Sequence, residues 1–428
     1  MDHPVNDRKW MVLCWAIIIL AGVFSSWGAW HPFSGDTANS RLSTVFALVH
    51  HGTWEIGGAD QANPFQGGTV DKVQVDGRMY SSKPPVLPLF MAGQYLLLHQ
   101  LVGYQLHDEK DRETILSILT MTFITFPFVV SGIIFLLLMG IWGIDPWLKA
   151  VALTVLMWGS EYAGYAGTIN NHVPATVCLL AALWGFFALD TEATIKSKVG
   201  CVGVGVGLGL AICIDLPSAI FVLLIVIGCI RKFSLGLVLF GILGVMMPLL
   251  AHAGVMISLT GSPLPFQLTK AYYLFEESYW RTPLGVDALN HSWGLYLFNM
   301  TFGRVGHFIM YPLLLLGLVG LVNESRIKKS AFRWWCLGGV IALAGILFYY
   351  VSSTNNYAGV SFGFRWLIIA TPFLLMGLVL LLRGVKNRLV IGLVCMLMAV
   401  GVFSACQCRM APWTINHEWP IKIYGPLY

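Results

Sequence analysis

The chain has 428 residues, of which 57% are hydrophobic and only 11% are charged, and its formal net charge is +5. A mean hydropathy of +0.73 excludes an ordinary soluble domain. The apolar runs are long and continuous, which predicts transmembrane helices and excludes a membrane β-barrel. The basic residues gather in short loops, which indicates membrane topology and no nucleic-acid partner. We therefore predict an all-α polytopic membrane protein in a lipid bilayer.

The first apolar run has the features of an uncleaved helix. Arg8 and Lys9 precede it, and Trp27 and Trp30 occupy the region where a signal peptide would need small residues. We expect the N-terminus to be cytoplasmic. The nine cysteines are scattered without a CxxC pair, so we interpret them as free packing residues.

Twelve apolar segments are candidate helices. In chain order they are 10–29, 85–102, 114–140, 149–166, 173–190, 199–214, 216–230, 233–258, 305–323, 334–351, 364–382 and 388–405. The positive-inside rule assigns the basic clusters to the cytoplasm. These clusters are 8–10, 196–198, 231–232, 326–333 and 383–388.

The two ends of the chain give a consistent topology only if one early segment does not cross. The weakest candidate is 85–102, because it carries Pro88, Gln94 and His99, and we predict that it lies at the outer interface. About eleven crossings remain, within a range of 10 to 13, and the C-terminus lies outside. The whole chain, 1–428, is then one integral domain of the plasma (inner) membrane.

The outer surface holds the irregular segments of the chain. These are a long first loop with interfacial helices at 30–113, an aromatic loop at 260–304, two shorter segments at 167–172 and 352–363, and a short tail at 406–428. The inner loops are short. We therefore expect any chemistry at the outer, periplasmic or extracellular face.

The first outer loop carries two dense polar stretches. The stretch "GDTANSR" (35–41) places Asp36 and Arg41 just after the first helix. In "TVDKVQVDGRMYSSKPPVLPLF" (69–90), the Asp76–Gly77 pair predicts a tight hairpin turn, and the two prolines start an apolar helix. Lys83 then lies at the interface, either as a functional cation or as a snorkelling anchor. Asp36 is a candidate base or, alternatively, a helix cap.

Two later stretches also place polar groups at outer helix ends. In "GTINNHVPATV" (167–177), Asn170, Asn171 and His172 open a helix. Asn171 and His172 are site candidates, and the asparagines are alternatively only capping residues. In "SSTNNYAGVSFGFRWLIIATP" (352–372), Arg365 lies on the side that is less favoured for arginine. An arginine at that end indicates an anion, commonly a phosphate.

The aromatic loop offers further candidates. Glu276 and Glu277 lie among tyrosine, tryptophan and phenylalanine residues, a composition that suits a sugar or a prenyl tail and equally an interfacial aromatic belt. Arg304, in "FGRVG", is a weaker candidate to face a phosphate.

The combination of these outer polar motifs resembles that of a known family. An acid after the first helix, then "YSSKPPVLPLF", then "NNHVPA" at a helix start, is similar to the polyprenyl-phosphate-sugar-dependent glycosyltransferases of the GT-C superfamily. The nearest groups are the aminoarabinose transferase that modifies lipid A and the protein O-mannosyltransferases. The resemblance covers residues 25–105, is weaker over 140–190 and is architectural beyond. The stretch "NNYAGVSFGFRW", with Tyr357, is similar to bacterial members of the same group.

The resemblance implies roles for individual residues. Asp36 corresponds to the base that activates the acceptor, Lys83 to the lysine that holds the lipid phosphate, and Tyr80 to the tyrosine of the same motif. His172 falls where relatives have a second acid. Thr37 also departs from the family, because relatives usually have Asp-Glu there. A role for a divalent metal is left open, with Asp36 and His172 as its candidate ligands.

The implied function is transfer of a sugar, with inversion, from a polyprenyl-phosphate donor to an envelope acceptor, either a glycan, a lipid or a protein. Two alternatives remain, a transporter or flippase for lipid-linked sugars and a non-catalytic envelope assembly protein. Three further features are interpreted as structural. The glycine-rich stretch 200–209 allows close packing of helices, and the adjacent residues His50 and His51 do not face one site. Asp215 is interpreted as a solvated acid in a short turn.

Overall fold

A computed structural model describes residues 3–31, 35–57, 63–354 and 356–428. In chain order the α-helices are α1 (His3–Trp30), α2 (Asp36–His50), α3 (Val86–Val102), α4 (Glu109–Thr120), α5 (Phe126–Ile141), α6 (Pro146–Trp158), α7 (Glu161–Gly164), α8 (His172–Ala188), α9 (Ile195–Ile214), α10 (Ala219–Lys232), α11 (Leu235–Thr260), α12 (Trp293–Thr301), α13 (His307–Met310), α14 (Pro312–Arg326), α15 (Arg333–Ser353), α16 (Thr371–Leu382), α17 (Arg388–Met410) and α18 (Ile421–Tyr424).

Shorter helical turns connect several of these helices. A π-helical turn, Met121–Thr125, joins α4 to α5, and a 3₁₀ helix, Arg365–Ala370, runs directly into α16. The other 3₁₀ helices are Gln66–Gly68, Leu216–Ser218, Phe266–Leu268, Lys270–Tyr273, Tyr279–Arg281 and Gly285–Ala288.

The structure confirms a helical membrane protein. Within the described ranges, seven helices are long and apolar enough to cross a membrane, and three shorter apolar ones accompany them. The seven are Arg8–Trp30, Glu109–Ile141, Ile195–Ile214, Leu235–Thr260, Arg333–Ser353, Arg365–Leu382 and Arg388–Met410. Each of the twelve predicted apolar segments contains helix, although 149–166 is interrupted at Gly159 and 305–323 is divided at Tyr311. All nine cysteines are free, as predicted.

The glycine-rich stretch is a helix-packing surface. It lies in α9, where a Cβ atom on Gly205 would collide with the carbonyl oxygen of Gly241 in α11. A Cβ atom on Gly244 of α11 would collide in the same way with the carbonyl of Val202. Small residues therefore let the two backbones approach closely, as expected for membrane helices.

The predicted hairpin is confirmed. Strands β1 (Lys72–Val75) and β2 (Arg78–Ser81) pair antiparallel, with Lys72 opposite Ser81. Both turn residues have positive φ, 49° at Asp76 and 79° at Gly77, which is the type I′ conformation that Asp-Gly favours. The next helix, α3, begins just after Pro85, so Lys83 lies in the short link between hairpin and helix.

Helix α2 was not among the predicted helices, because it is short and half polar. Its buried side chains include Ala38, Leu42 and Phe46, which pack in one hydrophobic cluster with Met91 and Tyr95 of α3. The opposite side of α2 faces the hairpin. This helix therefore carries Asp36 and Arg41 into the region between the hairpin and the longer helices.

Candidate functional site

Seven polar and charged residues form a connected group, which we call the charged cluster. They come from six separate parts of the chain, mostly at helix ends. Its members are Arg41, Asp71, Lys83, Asn171, His172, Asp215 and Arg365. Five of them were candidates from the sequence, while Asp71 and Asp215 were not.

Helix α2 holds the hairpin in place. The Ser40 hydroxyl donates to the carbonyl oxygen of Asp71 at 2.7 Å and lies 2.6 Å from the hydroxyl of Ser81. The Thr37 hydroxyl donates to Oδ2 of Asp71 at 3.3 Å. Thr37, the departure from the family pattern, thus contacts an acid of the hairpin instead of supplying one itself.

Lys83 and Asp71 form an ion pair in the cluster. Nζ of Lys83 lies 2.7 Å from Oδ2 of Asp71, and the two side chains are 20% and 14% exposed. Burial lowers the pKa of Lys83, while the Asp71 carboxylate opposes that shift. Burial alone would raise the pKa of Asp71, but the positive charges of Lys83, Arg365 and Arg41 hold it below its ordinary value. Asp71 is therefore ionised at neutral pH, within a positive field.

Arg41 is the largest fully buried charged side chain of α2, with 1% of its surface exposed. Its Nη1 donates to the carbonyl of Thr37 and its Nη2 to Oδ1 of Asn171, each at 2.9 Å. Its Nε is buried without a hydrogen-bond partner among the described residues. Burial lowers the pKa of Arg41 to about 10, which leaves it charged at neutral pH.

Asn171, His172 and Asp215 extend the cluster to α8 and α9. Nδ2 of Asn171 donates to one oxygen of Asp215 at 2.9 Å, and Nδ1 of His172 lies 2.7 Å from the other. The prediction that Asp215 is a solvated turn acid is wrong, because only 4% of the residue is exposed. The capping alternative is confirmed for Asn170, which accepts from the backbone N–H of Val173 at 2.8 Å, but not for Asn171, whose side chain makes no capping hydrogen bond.

Arg365 is held by the loop that precedes its helix. Its Nε and Nη2 both donate to the carbonyl oxygen of Ala358, at 3.1 and 2.8 Å, and its guanidinium lies 4.9 Å from the ring centroid of Trp413. Ala358 has a φ of 76°, a strained conformation for a residue with a side chain. Among the described residues, the third nitrogen, Nη1, has no hydrogen-bond partner. A phosphate oxygen could occupy that position.

Asp36 lies at the first turn of α2, beside the cluster. Its Oδ1 accepts from the backbone N–H of Val70 at 2.9 Å, and its carbonyl accepts from the Thr69 hydroxyl at 2.8 Å. Its carboxylate does not cap α2, where Gly35 is the N-cap residue. The residue remains exposed. Partial burial of the carboxylate and the charge of Asp71 raise its pKa, which suits a base.

Asp287 is a further acid that the sequence did not indicate. It lies in a 3₁₀ turn and accepts from the Tyr279 hydroxyl at 3.1 Å and from Nδ2 of Asn356 at 3.2 Å. Burial raises the pKa of Asp287, and the negative charges of Asp71 and Asp36 add to that rise. It is therefore a second carboxylate close to the site.

The remaining candidates lie outside the charged cluster. The ring of Tyr80 is buried and stacks on Phe266, with 6.1 Å between centroids. Nε of Arg304 donates to the carbonyl of Gly425 at 3.0 Å, and Asn299 links Arg304 to the hydroxyl of Tyr357. Two acids, Glu276 and Glu277, are exposed and have no ion-pair partner within the described ranges.

The candidate metal ligands have other partners. Asp36 accepts a backbone hydrogen bond, and His172 is paired with Asp215. Over the part of the chain that the structure describes, no three histidine, cysteine, aspartate or glutamate side chains converge on one point in a metal-binding arrangement.

No protein-family model matches the chain, and a search of curated proteins finds no match.

Proposed function

We propose that the protein is a membrane glycosyltransferase of the GT-C type that uses a polyprenyl-phosphate-linked sugar as donor. The observation that carries this proposal is the convergence of Lys83, Arg41 and Arg365 on the single carboxylate of Asp71. The three cations of the charged cluster outnumber its two carboxylates, Asp71 and Asp215, and the net positive charge that remains can be neutralised by a phosphate. Charge-assisted hydrogen bonds from lysine and arginine are the strongest contacts for a phosphate.

The helix ends support a site at one membrane surface. Asn171 and His172 begin α8, Asp215 follows the end of α9, and Arg365 begins the candidate span that ends at Leu382. The basic residues at 231–232, 326–333 and 383–388 lie at the opposite ends of helices. Under the positive-inside rule, the cluster would then face outward, toward the periplasm or the cell exterior. A lipid phosphate lies at that depth.

The positions of these helix ends also support eleven crossings of the membrane. Helix α3 packs along α2, with the ring of His99 5.0 Å from that of His50, and the Tyr95 hydroxyl accepts from the backbone N–H of Leu106. We therefore assign α3 to the outer interface together with α2. The crossings are α1, the continuous α4–α5, α6, α8, α9, α10, α11, α14, α15, α16 and α17.

In the proposed reaction, the Asp36 carboxylate accepts a proton from the acceptor hydroxyl or amine. The acceptor atom forms a bond to the anomeric carbon, and the bond from that carbon to the phosphate oxygen breaks with its electron pair. Because attack and departure occur on opposite faces of the sugar, the anomeric configuration inverts. The charge that develops on the leaving phosphate would be stabilised by Lys83, Arg41 and Arg365.

The test begins with native mass spectrometry of the gently purified protein and of Lys83→Ala. We expect a polyprenyl phosphate or its glycosylated form to be lost in the variant and retained in Lys270→Ala, a matched control at an exposed lysine. The mass difference from the bare polyprenyl phosphate would also give the mass of the sugar and hence its class. Equal amounts of ordinary phospholipid in all three samples would contradict the donor assignment and favour an assembly protein. Retained lipid transport by an Asp36→Asn variant in vesicles would favour a flippase.

A further inference from the structure

Two adjoining hollows follow helix α2 away from Asp36. The first, of about 290 Å³, is bordered by Asn39 of α2 and by Arg112 and Glu113 of α4. The second, of about 570 Å³, is bordered by His50, His51 and His107. Pro64 lines both hollows, which therefore adjoin at that residue, and we call the pair the groove. From Asn39 to His51 the groove is roughly 18 Å long, at about 1.5 Å per helical residue.

The near end of the groove adjoins the proposed base. Asn39 lies three residues after Asp36, so the two side chains are neighbours on one helix face. Nδ2 of Asn39 donates to the carbonyl of Gly68 at 2.8 Å, while Thr69 and Val70 contact Asp36. One short strip of chain, 68–70, therefore borders both the hollow and the carboxylate.

The groove has an apolar floor and polar walls. Phe46 and Phe65 form the floor and are each 5% exposed. Above Phe65, the guanidinium of Arg112 lies 5.4 Å from the ring centroid and donates to the carbonyls of Leu106 and His107. The Glu113 carboxylate is exposed and has no partner among the described residues.

The polar side chains that line the groove suit a ligand rich in hydroxyl groups. Amide, carboxylate and guanidinium groups match vicinal hydroxyls, and an imidazole can both donate and accept. His50 and His51 line the same hollow because His51 lies beyond the helix end, which contradicts the expectation that this pair faces apart. The charges of Arg112 and Glu113 offset each other, so the near end favours an uncharged ring.

We propose that this groove binds the acceptor, an oligosaccharide of several units, with its reacting end beside Asp36. The identity of the reacting end rests on the proposed glycosyl transfer, whereas the binding itself does not. The groove is separate from the cations that would hold the donor phosphate. Acceptor binding can therefore be measured with no donor present.

The experiment probes the full-length protein, in detergent and without donor, on an array of uncharged and acidic oligosaccharides of defined length, with peptides on the same array. The variants are Glu113→Ala and His107→Ala, both at exposed positions, and their double substitution. Glu192→Ala, at an exposed loop acid, is the matched control. We expect binding to strengthen with oligosaccharide length, to weaken about fivefold in each single variant and to be lost in the double variant.

Lys83→Ala separates this proposal from the donor assignment. Retained oligosaccharide binding in Lys83→Ala, with loss in the double groove variant, supports the groove whatever happens to the lipid. No oligosaccharide binding by the wild-type protein, a preference for the peptides, or wild-type binding in the double variant would each overturn it.

Discussion

Nζ of Lys83 lies 2.7 Å from Oδ2 of Asp71, and Arg41 and Arg365 are close enough to lower the pKa of the same carboxylate. The carboxylate of Asp71 thus occupies the position, among the three cations, where the proposed function requires the donor phosphate to bind. In the proposed complex, a phosphate would share these cations with Asp71 or replace it as the partner of Lys83. The following predictions test this arrangement and the groups around it.

Replacing Asp71 with asparagine should strengthen binding of the donor phosphate. The substitution keeps the shape of the side chain and removes a charge that repels the ligand. We expect the Kd for added polyprenyl phosphate to fall by roughly tenfold, or ~1.4 kcal/mol. Titration of the protein with polyprenyl phosphate, followed by tryptophan fluorescence, measures this Kd. Weaker binding would mean that Asp71 only positions Lys83.

Asp36→Asn should abolish turnover and preserve donor binding. Asparagine retains an oxygen that can accept from the Val70 N–H but cannot accept the acceptor's proton. Loss of a general base costs about 10²- to 10⁴-fold in rate. Single-turnover transfer of labelled sugar measures the rate, with Asp76→Asn in the exposed hairpin turn as the control. Wild-type turnover in Asp36→Asn would point to Asp287 or His172 as the base.

Arg365→Lys should weaken donor binding although it preserves the charge. An ammonium group cannot reproduce the paired hydrogen bonds to the Ala358 carbonyl, so the loop at 356–363 loses its anchor. We expect roughly 10- to 100-fold weaker binding and faster proteolysis within that loop. Ala358→Gly, which removes the positive-φ strain and keeps the carbonyl, should stay within about 1 kcal/mol of wild-type stability. The opposite ranking of the two variants would contradict this account.

Glu418 should make stability depend on pH. Burial raises the pKa of Glu418 from its ordinary value of 4.5 to about 7, although a hydrogen bond from the Gly363 N–H opposes the shift. The nearby charge of Glu161, which pairs with His307, adds to the rise. Because the folded pKa is higher than the unfolded one, the stabilising contribution is complete below about 4.5 and is lost as pH rises through about 7.

The measurement is the thermal unfolding midpoint in detergent between pH 5 and 9. We expect the wild-type midpoint to fall between pH 5 and about 7, by an amount equivalent to about 3 kcal/mol, and to level off at higher pH, whereas Glu418→Gln should remove most of that dependence. Glu192→Gln, at an exposed loop acid, is the control. An unchanged pH profile in Glu418→Gln would assign the dependence to another group.

Local sequence patterns predicted much of the fold and part of the site. Long apolar runs predicted the helices, and the Asp76–Gly77 turn predicted the hairpin. That turn also fixes the register, because Val75 opposite Arg78 and Lys72 opposite Ser81 bring Asp71 near Lys83. The register of the hairpin is therefore a signal in the sequence for Asp71 as a site residue.

Other features depend on contacts that no local pattern records. Asp287 lies more than 200 positions from Asp71, and only the packing of the aromatic loop over the hairpin, with Nε1 of Trp280 donating to the Val70 carbonyl, brings the two acids into one field. The prediction for Asp215 is wrong because the composition of its short turn is typical of an exposed loop, whereas the residue is buried in the folded chain. Helix α2 was missed because its apolar face is too narrow to indicate a membrane segment.

The hairpin has a consequence for how such a protein could be re-engineered. Its open end carries Val70, Asp71 and Lys83, and α2 is hydrogen-bonded to the same end through Ser40. The proposed base and the proposed phosphate ligand thus belong to one cassette, formed by α2 (36–50) and by the hairpin with its flanking residues (69–83), which Ser40 joins by hydrogen bonds. A change in the membrane helices would shift both together and preserve their spacing, so transplanting this cassette between related scaffolds should move the chemistry as a unit.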